Sequence, residues 1–323
     1  MLLAAVLLFC VVVLSLSIGA KSIPFATVLS ALNGTCNSAD CVIVSDARIP
    51  RTLAGILAGI ALGLSGVLMQ TLTRNPLADP GILGVNAGAS FAVVIGIAFF
   101  GATDVGHYLW FAFVGAMLAT LLVAMIGAIG GGRLNPIRLT LAGVALGAVL
   151  EGMSSGISLL NPQVFDQLRF WQAGSLDIRN MAVVRTVTPP IILGALIALG
   201  MTRALNTLSM GSELATALGT RIAGTQLAGL LAVTLLCGGA TAAVGPIAFI
   251  GLMMPHIARR LAGPDLRWAL PWTLLLTPIL LLTADIVGRL LVAGELRVSI
   301  ITALLGAPVL IILVRQRSML RRG

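Results

Sequence analysis

Apolar and polar residues fall in long blocks along this chain. Ten apolar runs recur, at 2–20, 52–72, 82–100, 109–129, 139–160, 183–202, 226–244, 246–262, 270–290 and 298–315. A helix needs about 20 predominantly apolar residues to cross a hydrocarbon core, and most of these runs are close to that length. The run at 246–262 is short and carries Pro246 and Pro255. The polar connections are too short to hold a further soluble domain. The pattern predicts an all-α membrane protein with about ten transmembrane helices, forming a single transmembrane domain over 1–323.

One stretch departs from a plain membrane anchor. Residues 48–88 read RIPRTLAGILAGIALGLSGVLMQTLTRNPLADPGILGVNAG. Gly55, Gly59 and Gly63 recur every fourth residue. That spacing puts them on one helical face, where a second helix can approach closely. Arg48 and Arg51 stand at one end of the helix, while Asn75-Pro76 and Asp79-Pro80-Gly81 break it at the other. Broken backbone at membrane depth is tolerated where protein or a watery cavity satisfies the freed groups. The segment is therefore expected to form part of a pathway wall.

Composition agrees with a membrane protein. Of 323 residues, 58% are hydrophobic and 10% charged, and the mean hydropathy is +1.07. A soluble domain carries about 25% charged residues. The first apolar run has no basic residue before it and no small-x-small cleavage site after it, so it is read as a retained helix. A net charge of +9 raises the possibility of nucleic-acid binding. The basic residues are scattered between spans and make no stripe on a soluble face, which excludes that reading.

The same charges orient the chain. With a cytoplasmic N-terminus and ten alternating helices, both termini are cytoplasmic. Twelve of the twenty basic residues then lie inside, including Arg133, Arg321 and Arg322. Eight lie outside: Lys21, Arg48, Arg51, Arg169, Arg179, Arg185, Arg289 and Arg297. The bias follows the positive-inside rule, and Tyr108, Trp110, Trp268 and Trp272 fall at span ends as an aromatic belt requires.

Several residues carry candidate chemistry. Lys21 is the only lysine and follows no glycine-rich stretch, so this chain has no P-loop and any ATP hydrolysis belongs to another polypeptide. Cys10 and Cys237 lie inside apolar runs as packing residues, whereas Cys36 and Cys41 share the outside loop GTCNSADC. An oxidising compartment permits a disulfide there. Two thiols without a nearby histidine make a poor zinc site, so no metal site is expected.

Glu151 lies well inside an apolar run, and an intramembrane carboxylate is a functional candidate. It could line a pathway, accept from Ser154 or Ser155, or serve an ion-gradient-driven secondary transporter. Asp285 and Arg289 are four apart and pair on one face. Gly63-Leu64-Ser65-Gly66 matches the string around intramembrane serine-protease nucleophiles, but small-residue packing explains it better, since neither His107 nor His256 falls at its depth.

Seven stretches also carry a resemblance. RIPRTLAG, MQTLTRNPLADPGILGVNAGAS, LTLAGVALGAVL, RFWQAGSLDIRN, VGPIAFIGLMMPHIAR, ADIVGR and LLGAPVLIILVR occur in this order over nearly the whole chain. Together they resemble the permease subunits of bacterial iron-siderophore and vitamin B12 ABC importers. The resemblance implies the B12-permease-like fold in the inner membrane. The function it implies is ATP-driven import of a ferric siderophore, a catecholate such as ferric enterobactin, by alternating access.

It implies partners too: a second related permease subunit in a heterodimer, a cytoplasmic ATPase dimer that holds ATP and magnesium, and a periplasmic siderophore-binding protein. No cofactor is expected on this chain, which makes and breaks no covalent bond. By the same resemblance Arg48, Arg51 and Arg289 receive acidic residues of the binding protein. The polar segment at about 205–225 is the coupling element that meets the ATPase, with Ala215, Leu218 and Gly219 as its core. Asn75 and Leu77 match a cytoplasmic constriction. A second constriction falls at Asn135 and Pro136, where this chain departs from the small hydroxyl residues of the B12 permease.

Overall fold

The structure, a computed structural model, describes residues 1–19, 21–36, 38–102, 105–129, 135–292 and 295–320. Arg133, Arg321 and Arg322, assigned above to the inner side, lie outside the described residues. The described secondary structure is helical. In order the helices are α1 (Leu2–Ser17), α2 (Phe25–Leu32), α3 (Ala39–Ile43), α4 (Ile49–Leu72), α5 (Val85–Phe100), α6 (Val105–Ala128), α7 (Pro136–Leu160) and α8 (Pro162–Gln172). They continue with α9 (Met181–Gly200), α10 (Thr202–Ser209), α11 (Ser212–Ala217), α12 (Ile222–Val244), α13 (Ile250–Ala262), α14 (Leu266–Leu291) and α15 (Val298–Leu320). A π-helical turn at Val44–Arg48 joins α3 to α4, and a 3-10 turn at Pro80–Leu83 precedes α5.

Each of the ten apolar runs is matched by one helix: α1, α4 to α7, α9 and α12 to α15. Among the described residues six helical segments are long and apolar enough to cross a membrane, and α1, α5 and the apolar part of α15 are shorter. The weak run at 246–262 becomes the 13-residue α13. At 1.5 Å per residue it spans about 20 Å, less than the roughly 30 Å hydrocarbon core. The irregular segment 245–249 precedes it, ending at Phe249 with φ 68. Ile247 in that segment is buried, so the irregular backbone is sheltered by protein.

α4 is the central post, packed against α9, α12, α13 and α14. Its glycine stripe meets α14. A Cβ on Gly55 would lie 2.5 Å from Leu282 Cδ2, and one on Gly59 would lie 2.7 Å from Pro278 Cα. Gly63 faces Thr273 and Thr277 in the same way. The next glycine, Gly66, turns toward α13 and abuts the Gly251 carbonyl.

Pro255 explains that crossing. Proline lacks the N–H that would bond the carbonyl four residues earlier, which here is Gly251. Gln70 of α4 reaches the freed group instead, its Nε2 donating to Gly251 O at 3.4 Å and to Leu252 O at 3.1 Å. Ser65 is fully buried on α4 and donates to Leu62 O at 3.0 Å, so its hydroxyl serves its own helix.

Candidate functional site

Chain direction places two polar regions at opposite ends of the bundle. α4 starts at Ile49 at the arginine end, and α14 finishes there at Leu291. α9 leads away to α10 and α11 at the other end, where α14 begins.

At the arginine end the three expected docking residues are buried, with Arg48 6%, Arg51 7% and Arg289 6% exposed. Each guanidinium is spent on this chain. Arg51 grips Asp285 bidentately, Nε to Oδ2 at 3.0 Å and Nη2 to Oδ1 at 2.9 Å. Its Nη1 donates to Glu295 Oε2 at 2.7 Å. Arg289 Nε donates to Asp285 Oδ2 at 2.9 Å, while its Nη1 serves the carbonyls of Ser15 and Ile18, both at 2.9 Å. Arg48 donates to Leu16 O at 2.7 Å and to Lys21 O. The network ties α1, α4 and α14 together around one carboxylate, Asp285, which is 1% exposed.

The three arginines still reach a concave surface. With Lys21, Arg179 and Asp177 they line a cavity of about 180 Å³. Beside it Cys36 and Cys41 are joined by a disulfide with a Cα–Cα distance of 6.1 Å. Cys10 and Cys237 are free.

At the opposite end the expected coupling residues separate by exposure. Ala215 is fully buried, so it packs inward. Leu218 is 58% exposed and is flanked by exposed Leu214 and Met210. Gly219 closes α11 with φ +80, a left-handed conformation that side-chain-bearing residues rarely adopt. The tip of α10 and α11 thus offers apolar side chains where polar ones would be cheaper in water.

This tip is fastened to α14. Asn206 of α10 donates through Nδ2 to Asp265 Oδ1 at 2.6 Å, and its Oδ1 accepts the Leu266 N–H at 2.9 Å. Asp265 also caps α14 by accepting the Arg267 N–H at 2.9 Å. The Arg267 amide, followed by Asn206, holds the Asp265 carboxylate below its ordinary value of 3.8. A depressed carboxylate contributes stability above its unfolded value and loses it as pH falls through the folded one. The clamp is therefore intact at neutral pH. Asn206→Ala removes both bonds, and the expected loosening of α10 and α11 from α14 is checked by limited proteolysis beside the melting temperature.

The expected gate residues have local roles. Asn75 is exposed and accepts the Leu77 N–H at 3.0 Å, closing the turn after α4. Asn135 caps α7, accepting from Ile137 at 3.0 Å and Arg138 at 3.4 Å, with Pro136 in its first turn. Among the described residues no hydrogen bond joins the two regions. Glu151 is exposed on α7, one of the least buried of the six long spans. It has no hydrogen-bond or ion-pair partner among the described residues. Ser154 donates instead to Leu150 O at 2.7 Å. No cluster of three or more metal-ligating side chains occurs among the described residues.

Sequence reasoning missed Gln70, Asn206 and the Arg51–Asp285 bond. The only local signal was polar residues inside or beside apolar runs.

Comparison with known proteins matches this arrangement along its length. The chain is 66% identical to the ferric enterobactin transport system permease protein FepD of Escherichia coli strain K12, covering 97% of this chain and 93% of that protein. It is 35% identical to FepG, a second ferric enterobactin permease protein of the same strain, over 93% and 90% of the two chains. A solved inward-facing structure of a metal-chelate type ABC transporter superposes with a TM-score of 0.83 at 28% identity, covering 97% of both chains. The FecCD transport family model matches residues 6–316. With the whole helical bundle accounted for in this way, the chain is a multi-pass membrane protein that belongs to the FecCD transport family.

Proposed function

We propose that this chain is a permease subunit of an ATP-driven ABC importer carrying ferric enterobactin or a related ferric catecholate across the bacterial inner membrane. The similarity to FepD over nearly the full length of both chains carries this reading. Fold and site support it. Lys21 is the only lysine and lies in no P-loop, so ATP and magnesium belong to a separate ATPase dimer.

The partners follow from the two ends and from α7. The exposed tip at Leu214 and Leu218 is the surface for the cytoplasmic ATPase, and both termini lie on that side. The arginine end faces the periplasm and receives a siderophore-binding protein. There Lys21 and Arg179 offer exposed charge, while Arg48, Arg51 and Arg289 form the cationic floor. A charged side chain at membrane depth faces protein or a watery cavity. The exposed Glu151 therefore supports a second permease subunit across α7, with the path between the two. FepD and FepG, both similar to this chain, support a heterodimer. Asn75, Leu77, Asn135 and Pro136 are proposed to border the inner mouth of that path.

The deciding experiment is uptake of radiolabelled ferric enterobactin by cells with and without this gene, with the ATPase intact or disabled. Uptake requiring both supports the reading. Uptake requiring the gene but no ATPase would establish ion-gradient coupling instead and turn attention to Glu151. A second expected result concerns coupling: Leu218→Asp should leave a folded protein whose uptake falls at least tenfold, read by transport and by retention of the ATPase on the purified permease. Unchanged retention and uptake would remove the tip from the ATPase interface.

A further inference from the structure

A larger cavity, about 570 Å³, opens at the arginine end between α8, the segment 173–180 and the adjoining ends of α6, α9 and α12. Its walls combine aromatic faces with cations. Phe170, Trp171 and Tyr108 line it together with Arg179 and Arg297. Arg297 lies 5.0 Å from the Phe170 ring centroid and donates to the Phe170 carbonyl. This fixes a cation beside an aromatic face.

Two polar atoms in the wall have no partner among the described residues. Trp171 is 9% exposed, and its indole N–H finds no acceptor among the described residues. The amide oxygen of Gln167, one turn earlier on α8, is also buried without a donor. A buried donor left unmade costs about 1–3 kcal/mol, so such atoms in a cavity wall suit a ligand that satisfies them. The acidic residue in the wall, Asp177, is answered by Arg179 at 3.3 Å and by Arg51 at 3.7 Å.

We infer that this cavity is a binding site for an aromatic anion, and that it takes a catecholate arm of the ferric chelate on its way from the binding protein to the path. The assignment rests on the function proposed above and names a site for that cargo. Ring faces and guanidinium planes suit a flat aromatic ring, and cations suit its oxyanions. The indole N–H donates to an oxygen of the ligand, and the Gln167 oxygen accepts from an amide N–H. An acidic side chain of the binding protein would use the cations but would leave the aromatic faces idle, which favours the cargo.

The test uses the complete transporter, with its partner permease and ATPase, in proteoliposomes supplied with the binding protein. Uptake of ferric enterobactin is compared in wild type, Trp171→Phe, which keeps a ring and loses the N–H, and Arg297→Ala. The expected result is a KM raised about tenfold in Arg297→Ala and several-fold in Trp171→Phe. Affinity for the binding protein stays at its wild-type value, and the melting temperature of each variant is measured beside its KM.

Unchanged KM in both variants, with wild type active, overturns the site and leaves the function standing. Weakened association with the binding protein at unchanged KM would make the cavity a protein-docking pocket and overturn the cargo assignment. Absence of wild-type uptake would instead remove the function on which the inference rests.

Discussion

Asp285→Ala is expected to destabilise the protein by about 3–5 kcal/mol, because it strands buried positive charge. Asp285 is the one carboxylate that both Arg51 and Arg289 hold, and all three side chains are buried. Breaking a buried pair by removing one partner leaves the other uncompensated, which costs more than the pair itself contributes. The damage should spread to α1, because Arg289 also carries the carbonyls of Ser15 and Ile18. Asp285→Asn keeps the shape and one acceptor and should cost less.

The contrast is Asp166→Ala at the exposed pair with Arg169, where 61% and 59% of the side chains remain in water. Surface pairs of that kind contribute about 0–1 kcal/mol. Melting temperatures of purified variants decide the matter. A shift of Asp285→Ala within about 2 °C of wild type would mean that the network is not under strain when cut. The same geometry bears on docking tests. Charge reversal at Arg51 or Arg289 would break the fold's own ion pairs, so loss of binding-protein affinity there says nothing unless stability is measured beside it. Lys21 and Arg179 are the cleaner positions, since their own pairs with Asp40 and Asp177 are solvent-exposed and cost little to cut.

Gly66→Val should be the most damaging substitution on α4. An added Cβ would overlap the Gly251 carbonyl at well under 3.0 Å, and backbone cannot turn aside as a side chain can. Overpacking commonly costs about 1–3 kcal/mol, and a backbone contact is at the upper end or beyond. Separating α4 from α13 would also stretch the Gln70 bonds to Gly251 and Leu252, freeing the carbonyl that Pro255 leaves without its helical donor. Gly224→Ala on α12 has nothing within 4 Å of the new Cβ and should be tolerated. Yield of folded protein from membranes, measured for both, is the check. Equal yields would show that the two helices separate at little cost.

The helices were legible because apolar runs of membrane length announce themselves, and the four-residue glycine spacing correctly announced a close neighbour. The identity of that neighbour was not legible: α14 begins just over two hundred residues after the stripe ends. Asp285 and Arg289 were legible as a pair because a helix brings residues four apart together. Arg51, 234 residues from Asp285 in sequence, was not. Arg51 and Arg289, which the resemblance offers to a binding protein, are also held within this chain by Asp285. The short helices α8 and α10 escaped because too few residues are present for a period to emerge, whereas α11 falls in the segment expected to couple. They nevertheless hold the aromatic cavity and the Asn206 clamp.

α14 is fixed at both ends, by Asn206 and Asp265 on one side of the bilayer and by Asp285 and Arg289 on the other. On the function proposed above, a strut held in this way would make the two faces thermodynamically answerable to each other. Whatever factor nucleotide on the proposed ATPase added to the proposed binding protein's affinity, the binding protein would return to the nucleotide. Cutting the Asn206 bonds would then shrink both factors together, so that each partner loses its sense of the other while still binding where it did.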